Sequence, residues 1–345
     1  MALSLRRGVN LTHWLTRQNL RDRQNLDRYV NADDFAHIAG WGADHVRLLV
    51  DFEFLESESS HRLHPLGTEM LDRAIVWTRR AGLSLVIALR GAPGMEFNRP
   101  QECAIWTDIE TQRRFASIWR RLAGRCHSPD CEHVAFDLLD RPPAPSAEAW
   151  GGLARMGLNA IRAVDESRVV LVGAMRHQPG LLQFAVLFAN DPYILYAFSF
   201  FHPWIFTHQR WEGWESYQRL ELIVDYPSRL PDLSAEAEKL AIADLKREVL
   251  QYSEAQLDAD LLDAALLPAR VFRRKENVPV YCAAYGVCSS APRAACVRWL
   301  RDVRGLLARH DIGWAVWEYK GDFGLLNADG EEQPELVDAV FGGNA

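Results

Sequence analysis

Lysine is scarce in this sequence, and long basic stretches are missing. Lys239, Lys246, Lys275 and Lys320 are the only lysines among 39 basic residues, and the formal net charge is −7. Proteins that bind nucleic acid usually carry a clustered basic patch. The composition therefore argues against nucleic acid as a partner.

The sequence also lacks a long apolar segment. No apolar run approaches the roughly 20 residues that a membrane-spanning helix needs. The start, MALSLRRGVN, leads directly into a predicted strand and leaves no room for a signal peptide. We expect a cytoplasmic protein if the chain is full length, and a secreted or periplasmic one if a signal peptide has been removed.

The six cysteines contain no CxxC pair of the kind that binds zinc. Cys126 and Cys131 lie close enough in RCHSPDCEH to form a disulfide, and two free thiols are an equally good reading of this loop. His202 and His208 are six residues apart without a third ligand motif, which is weak evidence for a metal. We expect neither a metal nor a cofactor.

Short segments rich in Val, Leu and Ile alternate with longer segments of helical periodicity. This alternation, repeated eight times, predicts a (β/α)₈ TIM barrel that forms one domain over residues 1–345. An extended insertion at about residues 204–267, partly aromatic and then acidic and helical over Ser234–Leu267, separates strand six from strand seven. The predicted strands are Arg6–Asn10, His45–Val50, Leu83–Leu89, Val134–Leu139, Val169–Gly173, Ile194–Phe200, Pro279–Ala283 and Gly313–Trp317.

The segments at the strand ends resemble glycoside hydrolase family 5, the cellulase and β-glucosidase group. RGVNLTHWL and HVRLLV resemble the motifs of its first two strands. LVIALRGAPG is similar to DLHGAPG, FDLLDRP to ELLNEP, and VPVYCAAYGV to VPxxVGEFGV. FSFFHPWIFTHQ is similar to FHYYEPxxFTHQG, and WAVWEYKGDFGLL to the tryptophan motif of the eighth strand. The matches run in order over nearly the whole chain.

The resemblance implies a catalytic acid/base glutamate after strand four and a nucleophilic glutamate at the end of strand seven. This sequence has Arg141 at the first position and Ala284 at the second. Arginine does not release a proton near neutral pH, and alanine has no nucleophile. The resemblance therefore predicts a pseudoenzyme, and no catalytic residue is assigned to the ordinary retaining reaction.

Further family positions differ as well. Asp140 replaces the asparagine beside the acid/base, Arg90 and Ser199 replace histidines, and Tyr285 replaces a phenylalanine. In the family the arginine of strand two, here Arg47, lies against the nucleophile. A buried arginine needs a counter-ion, so we expect an Arg47–Asp140 pair, with Arg90 and Arg141 either facing the cleft or folding back to fill it.

Other residues at the strand ends are candidates for ligand binding. The resemblance places Trp317 on the floor of a sugar pocket, with Asn10, His13 and Trp14 on the same face and His202 at the rim. Glu318 is expected to be the counter-ion of Arg141 or Arg90, or with Asp140 a rewired acid/base pair. Trp204, Trp211 and Trp214 form either an outer sugar platform or the packing of the insertion.

Three functions remain open at this point. The first is a cleft that binds an oligo- or polysaccharide, with the two arginines suggesting an anionic one. The second is an active glycosidase with relocated carboxylates, Asp140 and Glu318. The third is a scaffold with a filled cleft that acts through its outer surface or the insertion, towards a protein partner. An open cleft with two carboxylates about 5–9 Å apart would favour the second function.

Overall fold

Eight strands pair in parallel and close into a barrel in the computed structural model, which describes residues 3–16, 22–57, 61–95, 102–175, 178–184, 188, 191–213, 220 and 222–343. The predicted TIM barrel is therefore confirmed. The barrel strands are β1 (Arg7–Leu15), β2 (His45–Asp51), β3 (Ser84–Arg90), β4 (Val134–Asp137), β5 (Val170–Gly173), β6 (Ile194–Phe200), β9 (Val280–Tyr285) and β10 (Gly313–Val316).

Helices surround the barrel and are amphipathic, with their apolar faces towards the strands. Asp108, Ser146 and Asp258 cap the start of three of the long helices by accepting hydrogen bonds from backbone N–H groups. The helices are α1 (Arg23–Tyr29), α2 (Ala32–Gly40), α3 (Phe52–Leu55), α4 (Pro65–Arg80), α5 (Ile109–Arg125), α6 (Ala147–Arg162), α7 (Trp204–Thr207), α8 (Ser234–Glu238), α9 (Ala243–Leu250), α10 (Ala259–Glu276), α11 (Arg293–Arg309) and α12 (Pro334–Phe341). Within the described ranges, none is long and apolar enough to span a bilayer.

The interior of the barrel is filled by side chains and contains a buried polar group. His45 is fully buried, and its Nε2 lies 2.6 Å from the Tyr281 hydroxyl. Gly8 on the neighbouring strand makes room for this ring, because a Cβ on Gly8 would lie 2.1 Å from His45 Nε2. The lower barrel is thus a packed core, and a ligand site is expected at its upper end.

The insertion lies between β6 and β9 and differs from the prediction. Two short strands, β7 (Ser228–Arg229) and β8 (Gln256–Leu257), form an antiparallel pair. The second of them, β8, lies within the predicted helical run Ser234–Leu267, which is split into α8, α9 and the start of α10. Between α9 and β8 the chain turns at Glu254, which adopts a left-handed conformation with φ of 58° and separates α9 from α10.

The loop between α5 and β4 contains Cys126 and Cys131 as free thiols. The neighbouring Cys131 thiol and burial both raise the pKa of Cys126. Arg168 fastens the loop by donating to the backbone oxygens of Cys126 at 2.8 Å, Cys131 at 2.6 Å and Val134 at 2.5 Å. The hydrogen bonds from Arg168 therefore hold this loop in place, with Cys126 and Cys131 as free thiols and not as the disulfide that was the other prediction.

Candidate functional site

A cleft of about 400 Å³ opens at the carboxyl end of the barrel strands. The ends of parallel strands meet at one mouth, so side chains from distant parts of the chain converge there. The described residues lining it are Thr12, His13, Leu49, Arg90, Asp140, Arg141, Ser199, Phe201, Trp204, His208, Trp211, Gly213, Ala284, Trp317, Glu318, Asp322 and Phe323.

The structure brings most of the predicted site residues together around this cleft. Arg141 and Ala284, which the resemblance of the strand-end motifs predicted at the positions of the two family glutamates, both contribute to its wall. The other predicted residues that line it are His13, Arg90, Asp140, Ser199, Trp317 and Glu318. The alignment of the strand-end motifs therefore locates one contiguous site.

Arg47 lies directly beneath the cleft and is fully buried. Its Nη2 lies 2.8 Å from Asp140 Oδ1, so the expected ion pair is present. Asp137 is a second partner, with Oδ2 at 2.7 Å from Nη2 and 3.0 Å from Nε. Asn10 accepts a 3.0 Å hydrogen bond from Nη1. Asn10 is itself fully buried, so it positions Arg47 and does not reach a ligand.

Two carboxylates stabilise this one buried guanidinium. Burial opposes the charge of Arg47, but Asp137 and Asp140 outweigh it and raise the arginine pKa. Burial also raises the pKa of Asp137, although Arg47 opposes that shift. Among the described residues, Asp137 Oδ1 has no hydrogen-bond partner. The buried positive charge of Arg47 is therefore balanced by two neighbouring carboxylates.

Arg141 and Arg90 lie higher and partly exposed, each near a carboxylate. Arg141 Nε is 3.4 Å from Asp140 Oδ2, and its side chain remains 51% exposed. The Arg141 guanidinium carbon lies 5.8 Å from the centre of the Trp317 ring. Arg90 Nε is 3.9 Å from Asp51 Oδ1, with the side chain 37% exposed. Both arginines thus line the cleft as cations whose charge is partly neutralised by a nearby carboxylate.

Glu318 is buried in the cleft wall and has a different partner from the one expected. His13 Nε2 lies 3.2 Å from Glu318 Oε2, and the Thr12 hydroxyl donates to the same oxygen. Among the described residues, His13 is the basic group that pairs with Glu318, so a counter-ion role towards Arg141 or Arg90 is not observed. Gly321 packs against this carboxylate, since a Cβ there would lie 2.1 Å from Oε1.

Two predicted site residues point into the helix layer, because strand irregularities reverse their direction. The pairing of β1 with β2 shifts register between Leu11 and Leu15. Trp14 consequently faces outward, stacks on Trp77 and is 1% exposed. A register shift where β9 meets β6 likewise turns Tyr285 outward against Trp299. The placement of these two side chains in the ligand site was wrong.

His202 is also absent from the cleft wall. Side chains alternate along an extended strand, so Ser199 and Phe201 reach the cleft while His202 turns towards the insertion. Its Nδ1 lies 3.2 Å from the Tyr252 hydroxyl, and burial lowers the His202 pKa to about 4. The described residues contain no cluster of three or more potential metal ligands, so they supply no third metal ligand beside His202 and His208.

The insertion supplies an aromatic wall that sequence reasoning located only in part. Trp204 and Trp211 line the cleft, and Trp214 lies outside the described residues. Trp211 Nε1 donates to Asp322 Oδ2 at 2.8 Å, which ties the insertion to the loop after β10. His208 and Phe323 were missed as cleft residues. Phe201 was missed as well, although the alternation of side chains along β6 would have indicated it. His208 reaches the cleft only through tertiary folding.

Comparison with known proteins gives the family of this fold and site. The family model "Cellulase (glycosyl hydrolase family 5)" matches residues 11–322. Endoglucanase C of Acetivibrio thermocellus is 31% identical over 331 residues, covering 95% of this chain and 95% of that protein. Cellodextrinase A of Ruminococcus flavefaciens is 25% identical over 311 residues, which cover 89% of this chain and 83% of that protein.

Solved structures agree on the fold. The endoglucanase Cel5A of Thermotoga maritima superposes with a TM-score of 0.78 at 19% identity, covering 97% of both chains. Clostridial cellulose synthase subunit Z of Clostridioides difficile gives a TM-score of 0.76 at 19% identity, covering 98% of this chain and 99% of that one. From the family model and the 31% identity over nearly the full length, the chain belongs to glycosyl hydrolase family 5.

Proposed function

We propose that this family member binds a saccharide in its cleft and does not carry out ordinary retaining hydrolysis. Retaining glycosidases need two carboxyl groups about 5–5.5 Å apart, one as proton donor and one as nucleophile. The observation that carries the proposal is the pair Arg141 and Ala284, at the two aligned positions in the cleft wall. Neither side chain can perform the step required of it.

The carboxylates that remain near the cleft are engaged in structural contacts. Asp140 is paired with Arg47 and Arg141, and Glu318 with His13 and Thr12. A rewired glycosidase would need both of them available for proton transfer and attack. A filled scaffold is disfavoured by the cleft itself, which retains about 400 Å³.

The ligand we propose is an oligo- or polysaccharide with an anionic group. Trp317, Trp204 and Trp211 supply aromatic faces of the kind that pack against sugar rings. Arg90 and Arg141 supply guanidinium groups, whose paired N–H donors match carboxylate oxygens. Asp140 and Asp51 reduce the positive potential, so recognition combines ring stacking with one charged contact.

A thermal-shift screen followed by calorimetric titration tests this function. Cello-oligosaccharides, glucuronate-containing oligosaccharides and phosphorylated sugars are compared at low salt. We expect the glucuronate-containing compounds to raise the melting temperature most, because they engage both the aromatic floor and the arginines. Absence of binding by every saccharide would reject the proposal and favour the scaffold.

A further inference from the structure

Thr207 and His208, at the end of α7, form a hydrogen-bonded pair at the edge of the cleft. The Thr207 hydroxyl lies 2.6 Å from the backbone oxygen of Phe201 and 3.4 Å from that of Pro203. His208 Nδ1 lies 2.9 Å from the same hydroxyl oxygen. Thr207 is fully buried, so its hydroxyl makes these hydrogen bonds away from solvent.

The single hydroxyl hydrogen determines which nitrogen of His208 carries a proton. Two oxygens at 2.6 Å require a hydrogen between them, and the carbonyl oxygen of Phe201 has none to give. Thr207 therefore donates to Phe201 and presents a lone pair to the imidazole. His208 Nδ1 must then be the donor in the 2.9 Å contact.

The imidazole of His208 is neutral over the physiological pH range. Burial lowers its pKa to about 3, and the positive charge of Arg141 contributes to the same shift. A neutral imidazole has one ring proton. Since that proton is on Nδ1, Nε2 is a hydrogen-bond acceptor.

Aromatic rings fix the orientation of this imidazole. The ring centre of Trp204 lies 4.1 Å from that of His208, and those of Phe323, Phe201 and Trp211 lie at 5.0, 5.2 and 5.4 Å. His208 is part of the cleft wall. The acceptor is thus held in place before any ligand arrives.

We propose that His208 is a specificity-determining residue whose Nε2 accepts a hydrogen bond from a saccharide hydroxyl, and that Thr207 is the positioning residue that sets its tautomer. The ligand part of this inference rests on the proposed saccharide binding. Arg90 and Arg141 can only donate hydrogen bonds. An acceptor beside them favours a ligand with both hydroxyl groups and an anionic group over a bare sulfate or phosphate ion.

Nitrogen NMR of the histidine rings tests the tautomer without any ligand. The protein has 11 histidines, and the His208 signals are assigned by their loss in His208→Gln. We expect the wild type to show the Nδ1–H form, unchanged from pH 8 to pH 5. Thr207→Ser should keep it, and Thr207→Val should shift it towards the Nε2–H form. An Nε2–H or charged ring in the wild type would overturn the inference.

Titration with a glucuronate-containing tetrasaccharide then tests the ligand role. Loss of one hydrogen bond predicts binding weakened about 5- to 30-fold in Thr207→Val, with Thr207→Ser near wild type. Melting temperatures verify that each variant is folded. Equal affinity in Thr207→Val despite a changed tautomer would remove His208 from recognition. No binding by the wild type would instead defeat the proposed function, while the tautomer result would still stand or fall independently.

Discussion

The guanidinium of Arg141 lies over the ring of Trp317, with 5.8 Å between the guanidinium carbon and the ring centre. The cation therefore adjoins the aromatic surface on which a sugar is proposed to stack. Such cation–π contacts contribute roughly 0.5–1 kcal/mol at exposed sites. The contact holds Arg141 near the ligand position without burying it, since half of its side chain stays exposed.

Removing either cleft arginine should weaken binding of glucuronate-containing oligosaccharides. Arg141→Ala and Arg90→Ala each delete charged hydrogen-bond donors, and we expect about 5- to 30-fold lower affinity at low salt. The loss should shrink at moderate salt, because these side chains are partly exposed and their charges are screened. Calorimetric titration at two salt concentrations measures both effects.

Arg309→Ala is a suitable control for this experiment, because Arg309 is exposed and does not line the cleft. Its affinity should equal that of the wild type. Identical affinities in all four proteins would contradict an anionic ligand site.

Arg47 should be essential for folding stability. Arg47→Met removes the buried cation that Asp137 and Asp140 share, which is expected to cost about 3–5 kcal/mol of unfolding free energy. Urea denaturation measures this loss. Adding Asp140→Asn to Arg47→Met should restore part of the lost unfolding free energy, because one of the two carboxylates becomes a neutral amide.

The matched control here is Arg301→Ala. Arg301 pairs with Asp338 on the surface, where both side chains are more than half exposed. Its removal should change the unfolding free energy by no more than about 0.5 kcal/mol. A loss at Arg47 as small as this would show that the buried network is not as described.

Gly321 should tolerate no side chain beside Glu318. It has φ of 144°, and an added Cβ would lie 2.1 Å from Glu318 Oε1 and 3.0 Å from His13 Nε2. We expect Gly321→Ala to lose about 1–3 kcal/mol of stability, from backbone strain and displacement of the carboxylate. Gly124→Ala in α5 meets nothing within 4 Å and should be neutral or stabilising. Equal effects in urea denaturation would disprove the close contact.

The sequence was sufficient for the barrel and for most of the cleft. Eight apolar segments separated by helical periodicity predict eight strands, and parallel strands bring their carboxyl ends to one mouth. The motifs around Arg90, Arg141, Ala284 and Trp317 therefore fell in the right place. Their positions depend only on the order of the strands around the barrel, which follows their order in the sequence.

Side-chain direction was harder to predict, because it depends on pairing register. A bulge in β1 turns Trp14 away from the cleft, and no local sequence pattern indicates that bulge. The prediction that Glu318 pairs with Arg141 or Arg90 was wrong for a related reason. His13 and Glu318 meet through adjacent barrel strands, and a distance between strand ends cannot be read from residue types.

Cys131 should be the most reactive cysteine near neutral pH. The neighbouring Cys126 thiol lowers the pKa of Cys131 to about 6, against the effect of burial. Its alkylation by iodoacetamide should therefore increase through pH 6 and level off above it. Cys296, whose pKa burial raises to about 12, serves as the unreactive comparison. Peptide mass spectrometry after brief labelling distinguishes them, and preferential labelling of Cys296 would contradict the assignment.

The most direct test of the central claim is the hydrolysis rate on an aryl β-cellobioside, measured for the wild type and for Arg141→Glu/Ala284→Glu. The account predicts no turnover above background in the wild type, because the cleft lacks both a proton donor and a nucleophile at the family positions. Turnover that appears only in the double variant would show that these two replacements are responsible. Robust wild-type turnover that is abolished by Glu318→Gln or Asp140→Asn would contradict the account and establish a rewired glycosidase.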